Sequence, residues 1–183
     1  QKDNILESGK VDCLWGCYTM TGREEKYNWA GPYMCSRHVI VVRKDSSIKK
    51  LSDLNGRIVA AQVGTKPETL FLNKSNHLPK IKSLVTFKTI DEVISALRKG
   101  YVDAIAAHEG VLRQYTKDEI TQYRFLSESI YSAKLGVAFS KKGDQQIADK
   151  LTKVLRKMVA DGTVSRIVEK YSMNGIQAVK DLE

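Results

Sequence analysis

Apolar residues recur along this chain with two different periods, and segments of the two kinds alternate. Runs of β-branched and aliphatic residues predict strands at residues 11–15, 38–43, 58–62, 101–106 and 135–139. Apolar residues spaced three and four apart predict helices, one of them starting at Thr89 and another with an apolar stripe from Ile147 to Met158. Strands that alternate with helices indicate an α/β protein with largely parallel sheets.

Polar residues mark where several of these helices begin. Thr65 followed by Glu68, and Thr89 followed by Glu92, each match a capping box. In that motif the hydroxyl and the carboxylate accept hydrogen bonds from backbone N–H groups of the first turn. A short helical turn is also predicted after residue 50, with Ser52 as its cap.

Composition narrows the class of protein. Of the 183 residues, 42% are hydrophobic and 28% are charged, which is typical of a globular protein and excludes a disordered tail. The longest aliphatic run, residues 39–42, is far short of the ~20 apolar residues that a membrane-spanning helix needs.

The net charge of +9 raises the question of nucleic-acid binding. The basic residues are nevertheless spread along the whole chain, and local groups such as Lys49-Lys50 are flanked by polar residues. A solvated surface explains this distribution, so we expect no nucleic-acid partner.

The cysteines and histidines do not form a metal-binding pattern. Cys13, Cys17 and Cys35 include no CxxC pair, and the three histidines lack the spacing of metal ligands. We therefore expect no metal and no cofactor. One disulfide with a free thiol and three buried thiols are the two alternatives for the cysteines, and we favour the buried thiols because free cysteine packs as a small hydrophobic residue.

Seven segments carry a family resemblance, and they occur in the family's order. They are "LESGKVD", "TMTGR", "WAGPYM", "VIVVRKDSSIKKLSDLNGRIVAAQVGT", "ALRKGYVDAIAAHE", "LGVAFSKK" and "MVADGTVSRIVEKY". Together they resemble the type II periplasmic binding proteins, specifically the extracellular solute-binding family that serves polar amino acids. The resemblance covers nearly the whole chain.

This resemblance implies a two-lobed α/β fold with a ligand cleft between the lobes and two hinge strands. Residues 1–43 and 135–183 would form lobe 1, the latter with the C-terminal helices, and residues 44–134 would form lobe 2. Family members begin with two strands and two helices of which only the last part is recognisable here, so we expect lobe 1 to be incomplete. Such a lobe exposes sheet edges and an apolar face, and we expect dimerisation through it, strand exchange or aggregation as the compensation.

The resemblance also implies the residues of the site. Arg23 matches the arginine that holds the ligand carboxylate, and a guanidinium suits this task because it donates two parallel hydrogen bonds. The alternative is an exposed arginine in a charged turn. Thr65, with Gly64, matches a second carboxylate contact at a helix start, where a purely structural N-cap is the alternative. Thr19 and the Cys17 carbonyl match further ligand contacts.

The family pattern is broken at His108. The family places an aspartate there to pair with the ligand ammonium, and two explanations stay open: Glu109 replaces it, or the ligand lacks that ammonium. The His108 imidazole, when neutral, accepts one hydrogen bond from an ammonium. Tyr18 is a candidate for the aromatic wall of the pocket.

The resemblance implies a binding protein and not an enzyme. We expect extracytoplasmic binding of a small carboxylate-bearing solute, an amino acid, as the substrate-binding component of an ABC importer, with a membrane permease as partner and a membrane anchor in the full-length protein. The alternative is the sensing domain of a membrane-bound histidine kinase or cyclic-dinucleotide synthase, whose output domain reads the ligand. A dehydratase or lyase on the same fold is the third candidate and has only His108 and Glu109 as acid or base.

Overall fold

The computed structural model describes residues 2–16, 18–75, 77–171, 175–180 and 182. The chain divides into two compact units. Unit 1 is made of Gln1–Ser36 and Ala133–Glu183, and unit 2 is Arg37–Ser132. Unit 2 is therefore one continuous stretch of chain, whereas unit 1 is assembled from two separate stretches.

Six strands and seven α-helices make up the described elements. The strands are β1 (Cys13–Leu14), β2 (Asn28–Arg43), β3 (Ile58–Gln62), β4 (Ser83–Phe87), β5 (Ala104–His108) and β6 (Tyr123–Phe139). The helices are α1 (Lys2–Glu7), α2 (Lys66–Leu72), α3 (Ile90–Arg98), α4 (Glu109–Tyr115), α5 (Gln145–Ala160), α6 (Thr163–Glu169) and α7 (Gly175–Val179). Short 3-10 helices cover Glu24–Lys26, Leu51–Leu54 and Lys117–Gln122.

Unit 2 contains a mixed sheet. β3 pairs in parallel with both β4 and β5, while β2 pairs antiparallel with β5 and brings His38 opposite His108. The strand order through this region is β6, β2, β5, β3, β4. The expected sheet was largely parallel, and the antiparallel pairing of β2 is the difference.

The core of unit 2 lies on both faces of its sheet. Successive side chains of a strand point to opposite faces, so Val39 and Val41 join one apolar cluster while Ile40 and Val42 join another. The first cluster is completed by α3 and the second by Phe71 of α2. Because both faces are covered, the strand has no polar alternation, which explains the unbroken aliphatic run in the sequence.

In unit 1, β1 pairs antiparallel with the end of β6. Gly136 of β6 is the point of closest approach: a Cβ there would lie 2.9 Å from the Ala30 carbonyl oxygen and 2.6 Å from the Met20 sulfur. The N–H of Gly136 donates to the Tyr18 carbonyl at 3.0 Å, and the N–H of Met20 donates to Lys134 at 2.8 Å. These bonds hold residues 18–20 against β6.

The α/β class is confirmed, and the strand at 58–62 is observed with the predicted bounds. The predicted runs 38–43 and 135–139 are the C-terminal parts of the longer strands β2 and β6. The predicted run 11–15 is a strand only at Cys13–Leu14, and the run 101–106 begins three residues later, at Ala104. β4 and α4 were not predicted.

One of the predicted helix caps is confirmed and two are wrong. At Thr89 the hydroxyl accepts from the Glu92 N–H, and the Glu92 carboxylate accepts from the Thr89 N–H. Thr65 donates its hydroxyl to the Gln62 carbonyl at 2.6 Å, and its side chain makes no capping hydrogen bond to α2. At the 3-10 helix, Lys50 and not Ser52 is the cap residue, and the Asp53 carboxylate accepts from its backbone N–H.

Among the described helices, none combines the length and the apolar character that crossing a lipid bilayer requires.

We expect Thr89→Ala to lower the free energy of unfolding by about 1 kcal/mol, because the Glu92 N–H in the first turn of α3 loses the hydroxyl that accepts its hydrogen bond. Urea denaturation followed by circular dichroism measures the change. Ser52→Ala is the matched control, since the Ser52 side chain is exposed and caps nothing, and it is expected to leave the midpoint unchanged. Equal losses in both variants would contradict the capping assignment.

Candidate functional site

Arg23 of unit 1 is held in place by its neighbours. Its guanidinium donates to the Thr19 hydroxyl and stacks over the Tyr18 ring, with 4.4 Å between the guanidinium carbon and the ring centroid. Its backbone N–H donates to Met20 and its carbonyl accepts from the Trp29 indole at 3.0 Å. The side chain is half-buried, and among the described residues no carboxylate lies within ion-pair distance of it.

The nearest acid in sequence is engaged by the backbone. The Glu24 carboxylate accepts from the Gly22 N–H at 3.1 Å. Hydrogen bonds from the backbone N–H groups of Glu24 and Gly22 hold the pKa of this carboxyl below its usual value. The Glu24 carboxylate is hydrogen-bonded within its own turn. The Arg23 guanidinium is left without a protein counter-ion within the described part of unit 1.

The Tyr18 ring, which packs against the Arg23 guanidinium, is itself held by other aromatic residues. Its ring packs edge-on against Tyr27 at a centroid distance of 5.6 Å and lies 5.9 Å from Trp29, while its hydroxyl is 3.0 Å from the Tyr27 hydroxyl. One face of the predicted wall residue is therefore covered by Arg23. Thr19, Tyr18 and Arg23 are brought together in unit 1, whereas Cys17 lies outside the described residues.

In unit 2, Gly64 and Thr65 form the turn that leads into α2. The Gly64 N–H donates to the Glu68 carboxylate at 2.6 Å, and its φ of +75° is a backbone conformation that glycine adopts most readily. The Thr65 hydroxyl donates to the Gln62 carbonyl and so closes the turn. No side chain caps the first turn of α2.

His108 ends β5 and caps α4. Its Nδ1 accepts from the Gly110 N–H at 3.2 Å, so the ring's own proton resides on Nε2 when the imidazole is neutral. Burial lowers the pKa of His108, while the Glu109 charge opposes that shift. The ring stands edge-on to His38, 5.5 Å between centroids.

Glu109 is buried between two guanidinium groups. One carboxylate oxygen accepts from Arg37 at 3.1 Å, and the other accepts from Arg113 at 2.9 Å. Arg37 is itself only 8% exposed and also donates to the Ser127 carbonyl at 2.7 Å. The interpretation of Glu109 as counter-charge for a ligand ammonium gains no support from this arrangement, because both of its oxygens are already paired.

Three residues of unit 2 that were not predicted from the sequence form a series of contacts that begins at His108. His38 lies opposite it on β2, the Tyr131 ring lies 5.7 Å from the His38 ring, and the Lys66 ammonium lies 4.8 Å above Tyr131. His38 is the first residue of a predicted strand, but only the pairing of β2 with β5 shows that it faces His108. No local pattern joins Lys66 to Tyr131.

The described residues contain no group of three histidine, cysteine or acidic side chains able to hold a metal ion. The pairing of the cysteines stays a prediction, since Cys17 is outside the described part of the chain.

Residues 4–174 match the family model of the bacterial extracellular solute-binding proteins, family 3. The chain belongs to this family. It is 29% identical over 176 residues to the glutamate-binding protein GluB of Corynebacterium glutamicum, covering 92% of this chain and 58% of that relative. It is 28% identical to the histidine-binding periplasmic protein of Escherichia coli K12, covering 91% of this chain and 66% of that protein.

Solved structures agree on the fold. An ancestral cationic amino acid solute-binding protein matches with a TM-score of 0.73 and 29% identity, over 92% of this chain and 72% of that one. Substrate-binding domain 2 of Lactococcus lactis GlnP, in an open conformation, matches with a TM-score of 0.76 and 22% identity over the same shares. The fold is that of the type II periplasmic binding proteins, as the resemblance implied. The chain spans less than two thirds of the length of GluB.

We expect Glu109→Gln to lower the free energy of unfolding by about 3 kcal/mol, because the Arg37 guanidinium would stay buried without its anion. The measurement is the shift of the urea midpoint. Glu7→Gln is the control: Glu7 pairs with Lys142 at 3.7 Å, both side chains are exposed, and its loss is expected to cost well under ~1 kcal/mol. A small and equal shift in the two variants would show that the buried pair contributes nothing.

Proposed function

We propose that this chain binds a small carboxylate-bearing solute, an amino acid, outside the cytoplasm, as the substrate-binding component of an ABC importer. The single observation that carries the proposal is Arg23, a half-buried guanidinium that is oriented by Thr19 and Tyr18 and has no carboxylate partner among the described residues.

The arrangement suits a carboxylate for two reasons. A guanidinium donates two parallel hydrogen bonds to the two oxygens of a carboxylate, and it keeps its charge at any physiological pH. Stacking on Tyr18 and bonding to Thr19 fix the side chain before the ligand arrives, so less rotamer entropy is lost on binding.

Unit 2 contributes the turn at Gly64 and Thr65. Both hydrogen bonds that shape this turn are internal, and the first turn of α2 carries no side-chain cap. We propose that backbone N–H groups here form the second contact with the ligand carboxylate, with the Thr65 hydroxyl shaping the turn. The Thr65 hydroxyl donates to the Gln62 carbonyl and makes no capping hydrogen bond to α2.

The names of the relatives support the ligand class. They are glutamate-, histidine- and arginine-binding proteins. These three ligands differ in the side chain and share the α-carboxylate, which is the group we assign to Arg23. We extend the shared part of their specificity to this chain.

The partner and the anchor complete the proposal. In an importer the ligand-bound form is recognised by a membrane permease, and an anchor outside this chain keeps the binding protein at the membrane. Ligand binding, without a chemical step, is the activity proposed. Dimerisation through the incomplete first lobe stays a prediction that sedimentation of the purified chain checks.

We expect one or more of the twenty amino acids to raise the melting temperature of the wild-type chain, because a ligand that binds the native state stabilises it by mass action. Arg23→Ala is expected to weaken the affinity for that amino acid by about 30-fold or more in isothermal titration calorimetry, since a charged hydrogen-bonded pair is lost.

Arg156→Ala is the matched control, because Arg156 is an exposed arginine of α5 in the same unit. It is expected to leave the affinity unchanged. Undiminished binding in Arg23→Ala would refute the carboxylate assignment, and an amino-acid screen without any stabilising ligand would refute the function.

A further inference from the structure

β4 is the last strand on its side of the sheet in unit 2. It pairs in parallel with β3, from Ser83 opposite Ile58 to Phe87 opposite Gln62, and no other described strand pairs with it. A strand with a single neighbour directs alternate backbone N–H and C=O groups away from the sheet. The outer edge of β4 can therefore pair with a further strand.

The side chains of β4 are only partly covered. The central residues of β3 are buried, whereas every residue of β4 is half-buried or exposed. Leu84 packs on one face of the sheet, against the apolar cluster that contains Phe71, and Val85 packs against the cluster on the opposite face. A strand added to this edge would remove more of that apolar surface from water.

A groove of about 650 Å³ lies beside the start of β4. It is lined by the end of α2 and by the residues that lead into β4, and its apolar lining includes Leu70, Phe71, Leu72, Leu78, Ile81 and Leu84. Leu72 is 63% exposed. The groove lies on the α2 face of the sheet, so alternate side chains of an added strand would point towards it.

The charge of this region has one sign. Residues 69–90 contain four lysines and neither aspartate nor glutamate. Lys74, Lys80 and Lys82 line the groove, and Lys88 follows the last residue of β4. All four are exposed, and none has an ion-pair partner among the described residues. The edge therefore favours an acidic partner.

The same lysines argue against a second copy of this chain as the partner. A symmetric antiparallel pair of β4 strands centred on Val85 would place Lys82 of each copy opposite Lys88 of the other. Like charges directly opposite each other destabilise a strand pair. Lysines at an edge strand commonly prevent self-association in this way, and they leave the edge open to a strand of opposite charge.

We propose that the outer edge of β4 and the adjacent groove bind an extended, acidic and partly apolar segment of another protein by strand addition. Main-chain hydrogen bonds to β4 supply the affinity, the lysines select for carboxylates, and the groove takes an apolar side chain of the segment. The site lies within unit 2 alone and does not depend on the proposed function.

Fluorescence anisotropy with the full chain tests this proposal, and the probe is a dye-labelled peptide of alternating glutamate and valine. We expect this peptide to bind, and we expect its counterpart with lysine in place of glutamate not to bind at the same concentrations. N-methylation of the peptide backbone is expected to weaken binding about tenfold or more, because strand addition requires the main-chain N–H groups.

Variants of the chain locate the binding surface. Lys82→Glu is expected to weaken binding of the glutamate–valine peptide about fivefold, since an attraction becomes a repulsion. Leu72→Asp is expected to act in the same direction from the groove. Lys117→Glu is the control, because Lys117 is an exposed lysine of the same unit that does not line the groove, and it should keep the wild-type affinity. All three substituted residues are exposed, and circular dichroism checks that each variant is folded.

Several results would overturn the proposal. They are failure of the glutamate–valine peptide to bind, equal binding of its lysine counterpart, and equal losses in Lys82→Glu and Lys117→Glu. Undiminished binding of the N-methylated peptide would overturn strand addition. Phosphatidylglycerol vesicles are the last comparison: if they bind the wild-type chain and not Lys82→Glu, while the peptide does not bind, the surface contacts lipid and the proposal is wrong.

Discussion

The buried ion pair between Arg37 and Glu109 sets the geometry on which the candidate site of unit 2 depends. Arg37 lies on β2 next to His38, and Glu109 begins α4 next to His108. Placing two charged groups in the interior is costly unless they meet with good geometry, so a slip of β2 along β5 would leave both charges uncompensated. The pair therefore holds the register in which His38 lies opposite His108. The bond from Arg37 to Ser127 ties β6 to the same point.

In both units, neighbouring groups fix the orientation of a candidate binding residue and pair the acid next to it. Arg23 is oriented by an aromatic ring and a hydroxyl, and the adjacent Glu24 carboxylate accepts a hydrogen bond from the backbone of the same turn. In unit 2, His38 is held by burial and His108 by a hydrogen bond from a backbone N–H. The neighbouring acid, Glu109, is paired with two arginines. In both places the neighbouring carboxylate, Glu24 or Glu109, is paired within the protein.

Much of the fold follows from local sequence, because strands buried on both faces must be continuously apolar and a capping box is a four-residue pattern. Residues 58–62 and Thr89 were predicted on these grounds. Thr65 fits the same pattern, but its side chain is oriented by a hydrogen bond to the Gln62 carbonyl, three residues earlier, and makes no cap bond. The Arg37–Glu109 pair joins residues 72 positions apart, and no local rule reports such a contact. The burial of the His38 Nδ1 atom results from packing, which no local pattern reports.

The division of unit 1 into two stretches of chain has a consequence for biosynthesis. A ribosome releases the whole of Arg37–Ser132 as one piece, so unit 2 can form its sheet while the rest is still being translated. The first stretch of unit 1 cannot do so, because Cys13 pairs with Phe139 and Tyr18 bonds to Gly136. Tyr18, Tyr27 and Trp29 contact one another within this first stretch, but their packing against Ala138 requires the last stretch. During that interval the nascent chain is most open to holdase chaperones and to misassembly with other nascent copies.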